Sequence, residues 1–151
     1  MRSWVNVGAL LLLLPTSSCG KPESKCGPST GRVAFVVDGD TIELESGTKI
    51  RYLLADTTET TKGKNDCYGQ EAATLNRTLV EGKTVSLAYD ETGCTDRFGR
   101  TLAYVTVDGV EVNSKLVKEG YACTLFVSPS GGARKDEFET YESEAKTARI
   151  G

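Results

Sequence analysis

The stretch from Arg51 to Glu59 limits the folds open to this chain more than any other. It begins as an apolar strand pattern, RYLLA, and then turns polar with Asp56, two threonines and a glutamate. A guanidinium at one end of a buried strand and carboxylates at the other are costly to bury unless each group finds a partner. The segment is therefore either a surface ion pair or a site for a doubly charged ligand.

Two other charged stretches bear on this choice. The upstream stretch Val37–Thr41 (VDGDT) and the downstream stretch Asp96–Arg100 (DRFGR) add acidic groups for a cation and a second arginine for an anion. Carboxylates suit hard cations such as Ca²⁺, and guanidinium groups bind phosphate through two parallel hydrogen bonds. The plain alternatives are that Asp38-Gly39-Asp40 is only a hairpin turn and that the arginines form only surface ion pairs.

Hydrophobic periodicity predicts five strands with one helix between the third and the fourth. We expect strands at 31–37, 41–45, 48–55, 84–89 and 101–107, and helices at 68–81, 112–119 and 133–148. This element order is typical of an OB-type barrel with helices appended at the C-terminal end. Periodicity alone supports only a small α+β domain with a five-stranded sheet.

Residues 1–19 have the pattern of an export signal. Arg2 precedes a short apolar run, Val5–Leu14, and small residues then lead to Cys19, as in a bacterial lipobox. We expect an envelope lipoprotein lipidated at Cys19, with cleavage near Gly20 and free secretion, periplasmic or extracellular, as the alternative. The Gly-, Pro- and Ser-rich residues 20–30 predict a flexible tether, and residues 31–151 the folded domain.

Composition excludes some chemistry. The chain has no histidine, so a Ser-His-Asp triad is impossible, and its net charge of −3 makes it a poor long-range attractor for a polyanion. It has five cysteines, and four remain if Cys19 is lipidated or removed. Four cysteines in an exported chain predict two disulfides, with free buried thiols or a zinc site as less favoured readings.

Several motifs, in this order and spacing, resemble the thermonuclease or staphylococcal-nuclease-like (SNase-like) family. They span about Gly31 to Ala148 and are VDGDT, the Arg51–Glu59 stretch, YGQEA at Tyr68–Ala72, DRFGRTLAYV at Asp96–Val105, and VNSKLVKEGYA at Val112–Ala122. The resemblance implies a five-stranded OB-fold barrel with three helices. It also implies a hydrolase, a Ca²⁺-dependent endonuclease that cleaves single-stranded or unpaired DNA and RNA and leaves 3′-phosphate products. We expect a monomer that meets a membrane only through a lipid anchor.

The resemblance also assigns roles to particular residues. Arg51 and Arg100 match the family's phosphate-binding arginines, and Glu59 matches its general base or water-positioning glutamate. Asp40 and Asp56 match two carboxylate ligands of calcium, and Thr57 matches one carbonyl ligand. Asp38 matches an acidic residue close to the metal that takes a less direct part.

Nucleic-acid contacts are expected from Arg97, Phe98 and Phe126. Phe98 and Phe126 replace family tyrosines, so each keeps a stacking face and lacks a hydroxyl, and Thr58 stands where the family often has proline. No family pattern fixes the disulfides. From the implied fold we expect Cys26–Cys123 near the chain ends and Cys67–Cys94 beside the rim of the site.

Two other functions remain open at this stage. One is a non-catalytic OB-fold module on the cell envelope that binds nucleic acid or protein. The other is a structural envelope lipoprotein whose charges form only surface pairs.

Overall fold

The computed structural model describes residues 24–57 and 69–150 of the chain. Their order is three strands, a helix, three strands and two further helices, with a short 3₁₀ turn before the last helix. The strands are β1 (Thr30–Val36), β2 (Thr41–Leu44), β3 (Lys49–Tyr52), β4 (Thr84–Ala88), β5 (Thr101–Val107) and β6 (Val110–Glu111). The helices are α1 (Gly69–Val80), α2 (Val112–Lys118) and α3 (Lys135–Thr147), and the 3₁₀ turn is Gly132–Arg134.

Strands β1 to β5 close into a barrel. Antiparallel pairing runs β3-β2-β1-β4-β5, and β3 then pairs with β5 in parallel to complete the circle. The two-residue β6 only extends β5 through a tight turn at Asp108-Gly109, where both residues have positive φ. The structure thus confirms the predicted α+β fold, a five-stranded SNase-like OB barrel with three helices.

The barrel interior is filled by side chains that alternate along the strands. In β4, Val85 and Leu87 are buried while their neighbours in the strand are exposed. Ile42, Ile50 and Val105 are fully buried in the same core. Because a strand points successive side chains to opposite faces, this alternation fixes which residues reach the core and which reach the surface.

The third predicted strand is shorter than expected. It ends at Tyr52, and Leu53-Leu54 form a turn in which Leu54 adopts a positive φ of 60°. Such a conformation is unfavourable for a branched residue and persists only where packing imposes it. Both leucines are buried, so the apolar pattern that predicted a longer strand reflects burial in a turn.

The three helices cover the barrel on the outside. Helix α1 contacts β1, α2 contacts β5, and α3 lies on α2. Phe138 of α3 is fully buried, with its ring 6.1 Å from that of Tyr104. No helix of the described residues is long and apolar enough to cross a membrane.

Arg134, just before α3, fastens this helix to the end of β6. Its guanidinium donates to both carboxylate oxygens of Glu111, at 2.8 and 3.1 Å, and to Glu137. The hydrogen bonds from Arg134, and then one from Tyr141, lower the pKa of Glu137 to about 2. The last helix is therefore held by charge as well as by the buried Phe138.

The predicted disulfides are wrong in their pairing. Cys26 is bonded to Cys94, which excludes both Cys26–Cys123 and Cys67–Cys94. Cys123 carries a free thiol in the described part of the chain, and Cys67 lies outside it. The expectation placed Cys26 beside the C-terminal part of the chain, whereas the N-terminal segment runs along β4 and reaches the loop after it.

The same contacts correct the predicted tether. Residues 24–29 are not a free linker, because they are hydrogen-bonded to β4 and to the following loop as well as joined by the disulfide. The polar composition predicted a flexible segment. The Cys26–Cys94 disulfide and the hydrogen bonds to β4 instead hold it in place.

Candidate active site

The parallel contact between β3 and β5 brings together charged residues that lie far apart in sequence. Arg51 on β3 stands opposite Leu102 on β5, and opposite Thr41 on β2. Asp40 directly precedes β2, and Arg100 directly precedes β5. One edge of the barrel therefore carries Asp40, Arg51 and Arg100, as the sequence predicted for a single site.

Asp40 is a buried carboxylate with a full set of partners. Its Oδ2 accepts hydrogen bonds from the backbone N–H and the Oγ1 hydroxyl of Thr57, at 2.7 and 2.9 Å. Its Oδ1 accepts from Thr41 Oγ1 at 3.0 Å and lies 3.1 Å from Arg51 Nε. A buried carboxylate is tolerated when its oxygens are paired in this way, so these contacts compensate the burial of Asp40 at the barrel edge.

Arg51 is also buried and links the two acidic positions. Its Nη2 donates to Asp56 Oδ1 at 2.5 Å, and its Nη1 donates to the carbonyls of Tyr52 and Ala55. The turn after β3 thus wraps around the guanidinium of the strand's own arginine. A carboxylate lies on each side of that guanidinium, Asp40 inside and the half-exposed Asp56 outside.

Arg100 is held by the loop that precedes β5. Asp96 Oδ2 accepts from Arg100 Nε at 2.7 Å, and Asp96 Oδ1 accepts from the backbone N–H groups of Phe98 and Arg100. Although partial burial opposes it, these hydrogen bonds keep the pKa of Asp96 below its usual value. Arg100 Nη1 also lies 3.3 Å from Thr41 Oγ1, so Thr41 connects the second arginine to Asp40.

Asp38 adds a third carboxyl to this edge. Burial, and then the negative charge of Asp40, raise its pKa to about 6. Its Oδ1 accepts from the Asp40 backbone N–H at 3.1 Å, closing the turn that the Asp-Gly pair predicted. Asp38 and Asp40 thus place two carboxyl groups next to each other at this edge of the barrel.

The close approach at Gly39 explains why a glycine stands between the two aspartates. A β-carbon at this position would lie 2.6 Å from Thr57 Oγ1 and 2.8 Å from the Ala72 Cβ. Thr57 is the residue whose backbone and hydroxyl hold Asp40. Helix α1 and the Thr57 segment thus pack directly against this turn.

A cleft of about 570 Å³ opens beside the two arginines. Apolar residues of three loops and of β5 line it, and Arg51, Asp56, Asp96 and Arg100 form its charged end. The apolar lining consists of Leu53, Leu54, Phe98, Leu102, Leu125, Val127 and Pro129. A charged end beside an apolar wall suits a ligand that carries both a phosphate and a ring.

Of the two predicted stacking residues, Phe98 lies at the cleft and Phe126 does not. Phe98 is 68% exposed at the cleft, with the guanidinium carbons of Arg97 and Arg100 4.7 and 5.5 Å from its ring centre. Phe126 is not among the residues that line the cleft. It packs against the core and lies below Lys135, while its neighbours Leu125 and Val127 face the cleft.

Several predicted residues fall outside the described part of the chain. They are Glu59, Thr58, Cys67 and Cys19. The role expected for Glu59 and the lipidation expected at Cys19 therefore stay predictions.

Sequence reasoning missed two buried asparagines. Asn113 donates to the carbonyls of Leu53 and Ala103, at 2.9 and 3.1 Å, and accepts from the Val105 N–H at 2.9 Å. Asn76 accepts from the Tyr52 hydroxyl at 2.7 Å and donates to the Asp38 carbonyl. An asparagine on the apolar side of a predicted helix, as both of these are, was the available signal.

Comparison with known proteins agrees with this fold. A family model described as "Staphylococcal nuclease homologue" matches residues 49–151. The chain is 39% identical over 139 residues to "Endonuclease YncB" of Bacillus subtilis (strain 168), a match that covers 87% of this chain and 65% of that protein. It is 38% identical over 112 residues to "Thermonuclease" of Staphylococcus hyicus, covering 71% of this chain and 66% of the relative.

A third relative has a longer chain. "SPbeta prophage-derived endonuclease YokF" of Bacillus subtilis (strain 168) is 40% identical over 120 residues, which is 76% of this chain and 40% of YokF. The chain thus spans less than two thirds of the length of both Bacillus subtilis relatives. The extent of the family match and the barrel together show that this chain belongs to the staphylococcal nuclease family.

Proposed function

We propose that this protein is an exported, Ca²⁺-dependent nuclease that hydrolyses phosphodiester bonds of DNA and RNA and leaves 3′-phosphate products. The observation that carries the proposal is the meeting of Arg51, Arg100 and the Asp40 carboxylate at the parallel contact between β3 and β5. Relatives named endonuclease and thermonuclease support the same class of reaction.

The donor set fits a hard divalent cation. Carboxylate oxygens of Asp40 and Asp56 lie on either side of Arg51, and Ca²⁺ takes oxygen ligands from carboxylates, carbonyls and water. Asp38 adds a further carboxyl beside Asp40, and its oxygen accepts from the Asp40 backbone N–H at 3.1 Å. Within residues 24–57 and 69–150, no three acidic, cysteine or histidine side chains form a metal-binding group, so the Thr57 carbonyl and water would complete the ligands.

The arginines act on the phosphate. A bound Ca²⁺ would supply Lewis-acid stabilisation of charge on the phosphate oxygens. Arg100, oriented by Asp96, is placed to donate to a phosphate oxygen at the charged end of the cleft. Arg51 Nη2 now donates to Asp56, so release of the Asp56 carboxylate would free this donor for a phosphate oxygen. We assign Glu59 as the residue that accepts a proton from the attacking water.

The cleft gives the proposed substrate its second anchor. An exposed Phe98 beside apolar side chains offers a stacking and packing surface for a nucleobase next to the phosphate. A base must be out of a duplex to enter such a cleft, which favours single-stranded or unpaired nucleic acid.

The decisive test is digestion of a single-stranded oligodeoxynucleotide and an oligoribonucleotide by the domain from residue 20 onward. We expect cleavage with Ca²⁺, none with EDTA, and losses of at least about a hundred-fold for Glu59→Gln and Arg100→Ala, as is typical when a catalytic base or a transition-state donor is removed. Arg149→Ala is a matched control, because Arg149 is an exposed arginine just after α3 that does not line the cleft. Tight binding without cleavage under any condition would replace this proposal with a non-catalytic binding module.

Export is supported by the Cys26–Cys94 disulfide, since disulfides persist mainly in oxidising compartments. We propose signal-directed export of the monomeric protein with lipidation at Cys19. Incorporation of a radiolabelled fatty acid by the full chain, and its loss in Cys19→Ser, tests the anchor. A secreted, unlabelled protein would show ordinary signal cleavage instead.

A further inference from the structure

The N-terminal segment is fixed along its length to β4 and to the connection between β4 and β5. The Leu87 N–H donates to the Ser29 carbonyl at 2.8 Å, and the Tyr89 hydroxyl donates to the Pro28 carbonyl at 2.7 Å. Further along, Ser24 Oγ donates to Glu91 at 2.7 Å. The Cys26–Cys94 disulfide then joins the segment to the loop that leads into β5.

The loop beyond Cys94 is the one that carries Arg100. The Cys94 carbonyl accepts from the Leu102 N–H at 2.9 Å, and the Asp96 N–H donates to the Arg100 carbonyl at 2.9 Å. The Asp96 carboxylate then holds the Arg100 side chain through Nε at 2.7 Å. A continuous chain of contacts therefore runs from Cys26 through Cys94 and Asp96 to the guanidinium.

We propose that the Cys26–Cys94 disulfide and the Asp96 carboxylate act together as a positioning device for Arg100, with the N-terminal segment as its fixed support. The kinetic part of this inference rests on the proposed nuclease function. Neither cysteine nor Asp96 touches the reacting atoms, so all three are positioning residues.

A cross-link matters for Arg100 because most residues of the loop before it, 95–99, are exposed. Residues Thr95, Arg97, Phe98 and Gly99 are exposed, and loops with few buried contacts open locally at low free-energy cost. A cross-link at the base of the loop removes part of this freedom. Because a displacement of about 1 Å costs up to a hundred-fold in rate, small gains in loop order reach the chemistry through Arg100.

The kinetic test is a cycle of variants. We expect the double variant Cys26→Ser/Cys94→Ser to lose about ten-fold in kcat on a single-stranded oligodeoxynucleotide, while KM changes little. In an Arg100→Ala background the same double substitution should cause no further loss. Cys123→Ser is the matched control, because it removes a thiol outside the disulfide and should leave kcat unchanged.

All rates are measured well below the melting temperature of each variant. An equal fold-loss with and without Arg100 would mean that the disulfide supports only the general fold, and would overturn the proposal. Asp96→Asn should reproduce the ten-fold loss and should likewise add nothing to Arg100→Ala.

A second readout does not depend on activity. In nitrogen-15 NMR spectra, the Arg100 Nε–H should exchange slowly with solvent in the native protein and rapidly after Cys26→Ser/Cys94→Ser. Arg134 is an internal control, because its Nε also donates to a carboxylate, Glu137 at 2.8 Å, but does so beside α3. The positioning proposal is overturned if Cys26→Ser/Cys94→Ser leaves hydrogen exchange unchanged at both arginines. If exchange changes at Arg100 alone but the native protein cuts no nucleic acid, only the proposed function is overturned.

Discussion

Replacing Asn113 by alanine should weaken the contact that closes the barrel. Asn113 is fully buried, and its amide is the hydrogen-bond partner of the Val105 N–H and the Leu53 carbonyl. It also donates to the Ala103 carbonyl, which keeps a second bond from the Leu53 N–H. Asn113→Ala therefore leaves two buried backbone groups without a partner, each at a cost of about 1–3 kcal/mol.

We expect a loss of about 3–4 kcal/mol in the free energy of unfolding, on the basis of those two orphaned groups. This is a large share of the roughly 5–15 kcal/mol that stabilises a typical domain. For a domain of this size it corresponds to a fall in melting temperature of about 10–20 °C. Urea unfolding followed by circular dichroism at fixed pH measures the free energy, and a thermal melt measures the midpoint.

Ser114→Ala is the matched control on the same helix. The Ser114 hydroxyl makes one hydrogen bond of 3.3 Å to the Glu111 carbonyl, so its removal should cost less than about 1 kcal/mol. The reasoning is refuted if Asn113→Ala unfolds within 1 kcal/mol of the parent, or if the two variants are equally destabilised.

Three further predictions concern the turn, the last helix and the cross-link. Gly39→Ala should force the Thr57 segment away from Asp40, because the added β-carbon would clash with Thr57. We expect a loss of about 1–3 kcal/mol in stability and a smaller rise in melting temperature on addition of Ca²⁺. Thermal melts with and without Ca²⁺ measure both effects. Because the pKa of Glu137 is lowered in the folded protein, its ion pair stabilises the fold fully above pH 4.5, and this stabilisation is lost as the pH falls toward about 2. Glu137→Gln should therefore lower the free energy of unfolding by about 1 kcal/mol at pH 6 and by almost nothing at pH 2. Urea unfolding at the two pH values measures this difference. Mass spectrometry of unreduced peptides should find Cys26 linked to Cys94, and a different partner for either cysteine would contradict the fold of the N-terminal segment.

Much of the fold was predictable because its signals are local. The β-rich run Thr101–Val107, closed by Asp108-Gly109, gave that strand its exact limits, and the glycine after Glu119 marked the end of α2 to within a residue. The closing contact between β3 and β5 has no such signal, since parallel pairing of distant strands leaves no mark in the periodicity of either one. The family resemblance supplied the barrel that periodicity could not.

The candidate site was predictable in its residues but not in all its contacts. Sequence motifs named Asp40, Arg51 and Arg100, and the structure brings them to one edge. The disulfide was beyond reach, because four cysteines allow three pairings and sequence does not choose among them. Phe126 was expected to contact nucleic acid because it stands where the family has a stacking tyrosine, yet its ring packs against the core while Leu125 and Val127 line the cleft.

The parallel pairing of β3 with β5 determines when, during folding, the residues of the candidate site come together. Arg51 belongs to β3, while Arg100 arrives only with β5, the last barrel strand to be synthesised. Until the two strands meet, the arginines are separate surface charges on an open chain. If the chain is exported as proposed and crosses the membrane before the barrel forms, the two arginines would meet Asp40 only outside the cytoplasm.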